Sequence, residues 1–277
     1  MQTQHHAIRP PAVAGLFYPA DATELAATVA QLLATARSAD TSPKFPNPPK
    51  AIIVPHAGYI YSGATAARAY ALLRPWRGQI RRVVLLGPTH RVAVEGLAVP
   101  GVTGFRTPLG DIPLDLQAIA ALRELPQIVV SDAAHAAEHS LEVQLPFLQT
   151  VLGDFALVPL AVGEASPAAV AEALHCVWGG AETLIVVSSD LSHFHRYAEA
   201  QALDRATAES ILQLRTDLDH QQACGATPVC GLTLLARELG LRTELIDLCN
   251  SGDTSGDKSR VVGYAAFAFH ASGHHGH

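Results

Sequence analysis

The 277-residue chain contains only four cysteines, Cys176, Cys224, Cys230 and Cys249. This number is too small for a scaffold held together by disulfides, and the sequence has no C-x-x-C pair. We therefore expect reduced thiols. A cysteine with a function in such a chain should act as a metal ligand or as a nucleophile.

Long apolar runs and clusters of like charge are also missing. No uninterrupted hydrophobic stretch approaches the roughly 20 residues of a membrane-spanning helix, and residues 1–6 contain no hydrophobic signal core. The net charge is -6, and the lysines and arginines are scattered, which argues against a nucleic-acid-binding protein. These absences predict a cytoplasmic protein that binds neither membranes nor nucleic acid.

Hydrophobic residues make up 49% of the chain and charged residues only 16%, which favours one large core. Short apolar runs alternate with stretches of helical periodicity, and no linker or internal repeat interrupts them. We predict a single α/β domain, residues 1–270, with a mostly parallel central sheet and helices on both faces. Residues 271–277 are predicted to form a disordered, histidine-rich tail.

Three of the predicted strands are each followed by a histidine: residues 51–54 by His56, residues 82–86 by His90, and residues 183–187 by His193. In open α/β sheets, ligands bind outside the carboxyl ends of the strands, where neighbouring strand ends converge. Imidazole is a common protein ligand for zinc, iron and copper. A single loop histidine is better interpreted as bonded to nearby backbone, but three in equivalent places predict a metal site.

The residues alone leave the third ligand of this site open. Two histidines and one anionic group would form an open site with positions free for water or substrate. Asp190, Glu138 and a cysteine thiolate all qualify. The ligands are far apart in sequence, so spacing does not choose among them.

Two other chemistries are weaker interpretations of the sequence. Ser188 or Ser189, with Asp190 and a histidine, would suit a Ser-His-Asp hydrolase, but there is no Gly-x-Ser-x-Gly elbow. Residues 252–256 resemble a phosphate-binding turn, yet they lack the P-loop pattern, so a surface loop over 252–258 is favoured.

Three further local patterns predict secondary structure near the candidate site. Helices are predicted over residues 64–73 and 232–239, with Cys230 at the start of the second. Leucines at helical spacing after Ser140 predict another helix. If that helix extended back, His135 and His139 would share one of its faces.

Six sequence blocks occur in one order along the chain: Pro11-Ala-Val-Ala-Gly-Leu-Phe-Tyr-Pro19, Pro55-His-Ala-Gly-Tyr59, Gly87-Pro-Thr-His90, Glu138-His-Ser-Leu-Glu142, Ser188-Ser-Asp-Leu-Ser-His193 and Gly256-Asp-Lys-Ser-Arg-Val-Val-Gly-Tyr-Ala-Ala266. Together they resemble the MEMO family, whose prokaryotic members are called AmmeMemoRadiSam system protein B. The resemblance extends from about Arg9 to Phe269, nearly the whole chain.

The resemblance implies the fold of class III extradiol ring-cleavage dioxygenases, which are non-haem iron enzymes. It places metal ligands at His56, at His90 and, through a Cys-Gly-x-x-Pro context, at Cys224, where the dioxygenases have a carboxylate. Asp190 and His193 match the family's other site residues and would act as acid/base groups beside the open metal position. Glu138, His139 and Tyr59, which belong to the same sequence blocks, are predicted to line the surrounding pocket.

The function implied by the resemblance is that of a metal-dependent, oxidoreductase-like enzyme. Iron is the first choice of metal, with copper or zinc as alternatives, and His193 would be the general acid/base. The other hypothesis is a non-catalytic binding or signalling module that uses the same crevice for a peptide or protein. The implied partners are an unidentified small molecule or peptide and the AMMECR-type and radical-SAM proteins of the same gene system.

Overall fold

The computed structural model describes residues 7–36 and 47–271. The strands within these ranges are β1 (Ile8–Arg9), β2 (Ala51–Val54), β3 (Arg82–Pro88), β4 (Leu97–Val99), β5 (Gly104–Thr107), β6 (Gly110–Pro113), β7 (Ile128–Val130), β8 (Ala156–Val162), β9 (Thr183–Ser188), β10 (His193–His195), β11 (Arg242–Asn250) and β12 (Val261–His270). The helices are α1 (Ala22–Ala36), α2 (Tyr59–Ala71), α3 (Leu116–Leu122), α4 (Asp132–Ala136), α5 (His139–Glu142), α6 (Leu145–Leu152), α7 (Pro167–Cys176), α8 (Tyr197–Leu212), α9 (Ala226–Glu238) and α10 (Ser251–Ser255).

A mixed sheet forms the centre of the described structure, with strand order β10-β12-β2-β9-β3-β8-β4-β7 and with β11 paired to β12. Its middle strands β2, β9, β3 and β8 run parallel. Antiparallel pairing lies outside them, where β12 joins β2, β10 and β11 and where β4 joins β8. The predicted α/β fold with a parallel central sheet is therefore confirmed, with mixed edges. A small second sheet has the order β1-β5-β6.

The central strands are continuous apolar runs because helices cover both of their faces. Every residue of β2 and β9 is buried. One helical layer consists of α2, which packs on β2 and β12, with α1 and α6 behind it. In the other layer α9 packs on β3 and β9, and α7 packs on α9. No helix in the described ranges has the length and apolarity needed to cross a membrane.

The sheet topology brings three loops to one edge. His56 follows β2, His90 follows β3 and Asp190 follows β9, and β9 pairs with both β2 and β3. The start of α9 lies against the same edge, because the Cys224 N–H donates to the Asp190 carbonyl at 3.2 Å. Residues far apart in sequence therefore meet beside the carboxyl ends of adjacent strands.

Three of the predicted element boundaries were wrong. Helix α2 begins at Tyr59 rather than at residue 64, and α9 begins at Ala226 rather than at residue 232. Pro228 is tolerated in the first turn of α9 because backbone N–H groups there have no intrahelical partner. Cys230 therefore lies inside α9. Part of the loop predicted over 252–258 forms α10, which starts with a capping box between Asn250 and Asp253.

The predicted tail lies outside the described residues, apart from Ala271.

Candidate metal centre

Three predicted ligands converge at the carboxyl edge of the sheet. The candidate ligand atoms of His56, His90 and Cys224 all lie within 4.8 Å of one another. Cys224 Sγ is 3.3 Å from His56 Nε2, and the two imidazole rings lie edge to face with centroids 5.3 Å apart. Two imidazoles and a thiolate form a donor set that zinc, iron and copper accept. The structure thus contains a group of side chains suited to a metal ion.

His56 is held from two sides within the core. Its side chain is buried, and this burial lowers its pKa well below the usual value. The backbone N–H of His56 donates to Asp190 Oδ1 at 2.7 Å, which fixes the loop after β2. The ring atom Nδ1 lies 2.9 Å from Ser188 Oγ, which leaves Nε2 to face Cys224.

His90 is held by a carboxylate. Its Nδ1 lies 2.8 Å from Glu138 Oε1, and its backbone N–H donates to Glu138 Oε2 at 2.6 Å. Burial alone would raise the pKa of Glu138, but these contacts and the Ser140 N–H outweigh it and hold the pKa at about 2. An ionised carboxylate only accepts, so Nδ1 of His90 carries a proton, and Nε2 is the ring atom that a metal ion would bind.

His139 joins the same group of rings, whereas His135 does not. The helix that would have placed them on one face is broken at Glu138, which takes an extended conformation and caps α5 by accepting from the Ser140 N–H. His139 stacks on His90 with ring centroids 4.6 Å apart, and Phe17 covers it at 4.7 Å. Burial lowers the pKa of His139 to about 4, so a neutral ring lies beside the candidate ligands.

His135 faces the other way, with its Nε2 2.9 Å from the Ala98 carbonyl. The two histidines therefore lie in different parts of the structure although they are only four residues apart.

Two of the candidate ligands, His90 and Cys224, line a cleft of about 480 Å³ together with His193, His195, His220 and Gln221. His193 Nδ1 lies 2.8 Å from the Leu191 carbonyl, which only accepts, so Nε2 of His193 is the ring atom with a free lone pair. Burial lowers the pKa of His193, which favours the neutral ring at pH 7. The cleft therefore combines a candidate metal site with an unprotonated imidazole.

Sequence reasoning missed two of the cleft histidines. His195 is two residues from His193 on β10, and alternation along a strand could have identified it. The strand bulges at Phe194, whose φ is +64°, and both histidines line the cleft. His220 precedes α9 and carries no local signal of function.

Asp190 borders the candidate ligands His56 and Cys224 through hydrogen bonds, whereas Tyr59 bonds to a backbone carbonyl. Burial raises the pKa of Asp190 to about 7, and its carboxylate bonds to the His56 backbone rather than to a histidine ring. Ser188 donates to the Ser140 carbonyl at 2.6 Å, so these residues do not form the Ser-His-Asp triad considered above. Tyr59 donates to the Val143 carbonyl at 2.8 Å and is not among the residues described as lining the cleft.

The Cys224 thiol is suited to a cation. Burial, with a smaller contribution from the Asp190 carboxyl, raises its pKa to about 12. The Asp190 N–H lies 3.3 Å from Cys224 Sγ and donates to it. The positive charge of a bound metal ion is what would convert such a thiol to the thiolate. The chemistry of the three donors therefore fits a metal ion.

Comparison with known proteins identifies close relatives. A family model described as Memo-like protein matches residues 9–268. A MEMO1 family protein of Ignicoccus hospitalis is 38% identical and covers 95% of this chain and 98% of its own length. A MEMO1 family protein of Aquifex aeolicus is 36% identical, with 95% and 99% covered. An uncharacterized protein of Escherichia coli K12 has a similar fold, with a TM-score of 0.55 at 12% identity, covering 78% of this chain and 98% of that one.

Proposed function

Because the chain belongs to the Memo-like protein family, we propose that it is a metal-dependent, oxidoreductase-like enzyme that holds its metal ion through His56, His90 and Cys224. Iron is the first choice, with copper or zinc as alternatives. The observation that carries this proposal is the meeting of three donors within 4.8 Å, two of which, His90 and Cys224, line an open cleft. Such an ion, when bound, supplies a Lewis acid and, for iron or copper, a redox centre.

The remaining residues of the cleft bind and orient substrate and move protons. His193 is the proposed general base, since its Nδ1 is occupied by the Leu191 carbonyl and its Nε2 is free to take a proton. His195, His220 and Gln221 offer further hydrogen-bonding groups to a substrate. Phe17 and His139 pack together behind His90 and exclude water from that side.

The test is metal binding by a pair of matched cysteine variants, Cys224→Ser and Cys230→Ser. Cys230 is a buried cysteine on α9 whose Sγ lies 3.8 Å from the Leu218 carbonyl, so it reports any general effect of the same exchange. Full-length proteins are purified anaerobically and loaded with Fe(II), and bound metal and the thiolate-to-metal charge-transfer band are measured.

We expect wild type and Cys230→Ser to retain the metal and the band, and Cys224→Ser to lose both. Histidines outside the site are the same in all three proteins, so adventitious binding to them cancels. Equal metal content and an unchanged band in all three would contradict the proposal. That result would leave His56 and His90 with a third ligand other than Cys224, such as Asp190 or Glu138. No bound metal in the wild-type protein would favour the alternative hypothesis, a binding module that uses this cleft for a peptide or protein.

A further inference from the structure

The hydroxyl of Ser188 lies in the core among three polar groups. Its Oγ is 2.6 Å from the Ser140 carbonyl, 2.8 Å from Gln144 Nε2 and 2.9 Å from His56 Nδ1. Ser188 and Gln144 have no exposed surface, and His56 is 2% exposed. Solvent therefore does not compete for these bonds, and the donors and acceptors must match among themselves.

The orientation of the Gln144 amide follows from its other neighbours. Its Nε2 lies 2.9 Å from the Pro55 carbonyl, which has no proton to give, so the group facing Pro55 and Ser188 is the NH₂. Its Oε1 accepts from the Tyr70 hydroxyl at 2.9 Å. The amide therefore donates to Ser188.

The proton positions at Ser188 and His56 then follow. A serine hydroxyl has one proton and two lone pairs. The proton goes to the Ser140 carbonyl, and one lone pair accepts from Gln144. The other lone pair faces His56 Nδ1, which must carry a proton to bond there. In a neutral imidazole this leaves the lone pair on Nε2, the atom that lies 3.3 Å from Cys224 Sγ.

We propose that Ser188 is a positioning residue that fixes His56 in the Nδ1–H tautomer and so presents Nε2 to the metal ion, with Gln144 and Tyr70 fixing Ser188 in turn. This inference deepens the proposed function and rests on it for the role of His56 as a ligand. The partner is an uncharged hydroxyl, whereas metal-bound histidines are more often oriented by a carboxylate, a backbone carbonyl or water. Ser188 thus orients the ring without adding a buried negative charge.

The first measurement reads the tautomer directly in the metal-free protein. Full-length protein labelled with ¹⁵N-histidine is examined by two-bond ¹H–¹⁵N correlation, and the His56 signals are identified by their loss in His56→Gln. We expect the Nδ1–H pattern. An Nε2–H pattern in the wild-type protein overturns the inference without reference to any serine variant.

The second measurement compares Ser188→Ala with Ser62→Ala as a control. Ser62 is a buried serine whose hydroxyl donates to the carbonyl of Ala57, next to His56, at 3.0 Å, but it is not bonded to the imidazole. We expect Ser188→Ala to lose the pure Nδ1–H pattern and to bind Zn(II), a redox-silent probe, about 10–100-fold more weakly in competition with a chromophoric chelator. Ser62→Ala should retain both properties.

The two readouts separate this inference from the proposed function. If the tautomer is as expected and depends on Ser188 while wild type binds no metal, the proposed function fails and the tautomer assignment stands. If Ser188→Ala changes the tautomer without weakening Zn(II) binding, the positioning role is overturned. If Ser188→Ala changes neither, the inference as a whole is overturned.

Discussion

The carboxyl ends of β2 and β3 carry similar sequences, each with a proline shortly before a histidine, but the two histidines are held in opposite ways. The His56 ring is buried, and its Nδ1 meets an uncharged serine hydroxyl. The His90 side chain is 30% exposed, and its Nδ1 meets the ionised carboxylate of Glu138. We call the side chain bonded to Nδ1 of each histidine its anchor. The anchor of His56 is neutral, and the anchor of His90 is charged.

The difference continues into the residues behind each anchor. Behind Ser188 lie the amide of Gln144 and the phenol of Tyr70, which are both neutral. Behind Glu138 lies Arg9, whose guanidinium donates to the carbonyls of His135 and Glu138 and to the carboxylate of Glu142.

The contrast between a neutral hydroxyl at His56 and a carboxylate at His90 shows how the protein limits buried charge. A carboxylate anchor makes a histidine a stronger ligand, but a buried carboxylate requires its own donors. At Glu138 these are two backbone N–H groups as well as the His90 ring. A second anionic anchor behind the deeper His56 would need equivalent compensation in the core.

The largest effect is expected from Arg9→Met, which removes the charged residue that lies behind Glu138. Glu142 is fully buried and would lose its ion pair with Arg9, so we expect the free energy of unfolding to fall by about 3–5 kcal/mol. Denaturant unfolding of full-length protein measures it. The control is Arg215→Met, which breaks an exposed Arg–Asp pair and should leave the midpoint unchanged within error. An equal fall in the free energy of unfolding in the two variants would show that the buried Arg9 stabilises the protein no more than an exposed arginine does.

The next effect is expected from Glu138→Gln, which removes the charge of the anchor and nearly keeps its shape. We expect Zn(II) affinity to fall by about 10–100-fold, and by more than in Ser188→Ala, because charge-assisted hydrogen bonds are roughly twice as strong as neutral ones. Chelator competition on both variants makes the comparison. Glu172→Gln, on the exposed part of α7, controls for loss of one negative charge. A smaller loss in Glu138→Gln than in Ser188→Ala would show that the charge of the anchor is not what matters.

The smallest effect on metal binding is expected from His193→Ala. His193 is a third histidine that follows a strand, but its Nδ1 bonds to the nearby Leu191 carbonyl, and it is not part of the ligand group identified among the described residues. Metal content should remain that of wild type, whereas His56→Ala should lose the metal. Elemental analysis of the two variants, prepared side by side, measures their metal content. Equal metal loss would make His193 a ligand and end its assignment as a base.

The sequence was sufficient to predict the strands and the histidines at their ends, because apolar runs and prolines are local signals. Residue patterns alone did not select Cys224; the family resemblance did. The start of α9 was misplaced because Pro228 suggested a turn. Helical spacing failed for His135 and His139 because Glu138 interrupts the helix to hold His90.

The contacts of Ser188 with His56 and of Arg9 with Glu142 could not be predicted from the sequence. Ser188 is 132 residues from His56, and Arg9 is 133 residues from Glu142. The roles of Ser188 and Arg9 depend on the hydrogen bonds that they make with these distant residues. Those bonds form only when the strands are paired. The sequence suggested Ser188 only as a hydrolase nucleophile, and Arg9 carries no periodic or spacing signal that distinguishes it from a surface residue.

The strand order of the sheet also sets the time at which the site is completed on the ribosome. Strand β2, which leads to His56, is flanked by β9 and by β12, and β12 is the last strand of the described chain. A nascent chain that has emerged only as far as residue 220 has both candidate histidine ligands but neither the thiol nor one neighbour of β2. The core closes around the site only after the final strand has left the exit tunnel. A metal ion held by His56, His90 and Cys224, as proposed, would therefore find its site complete only once β12 is available to pair with β2.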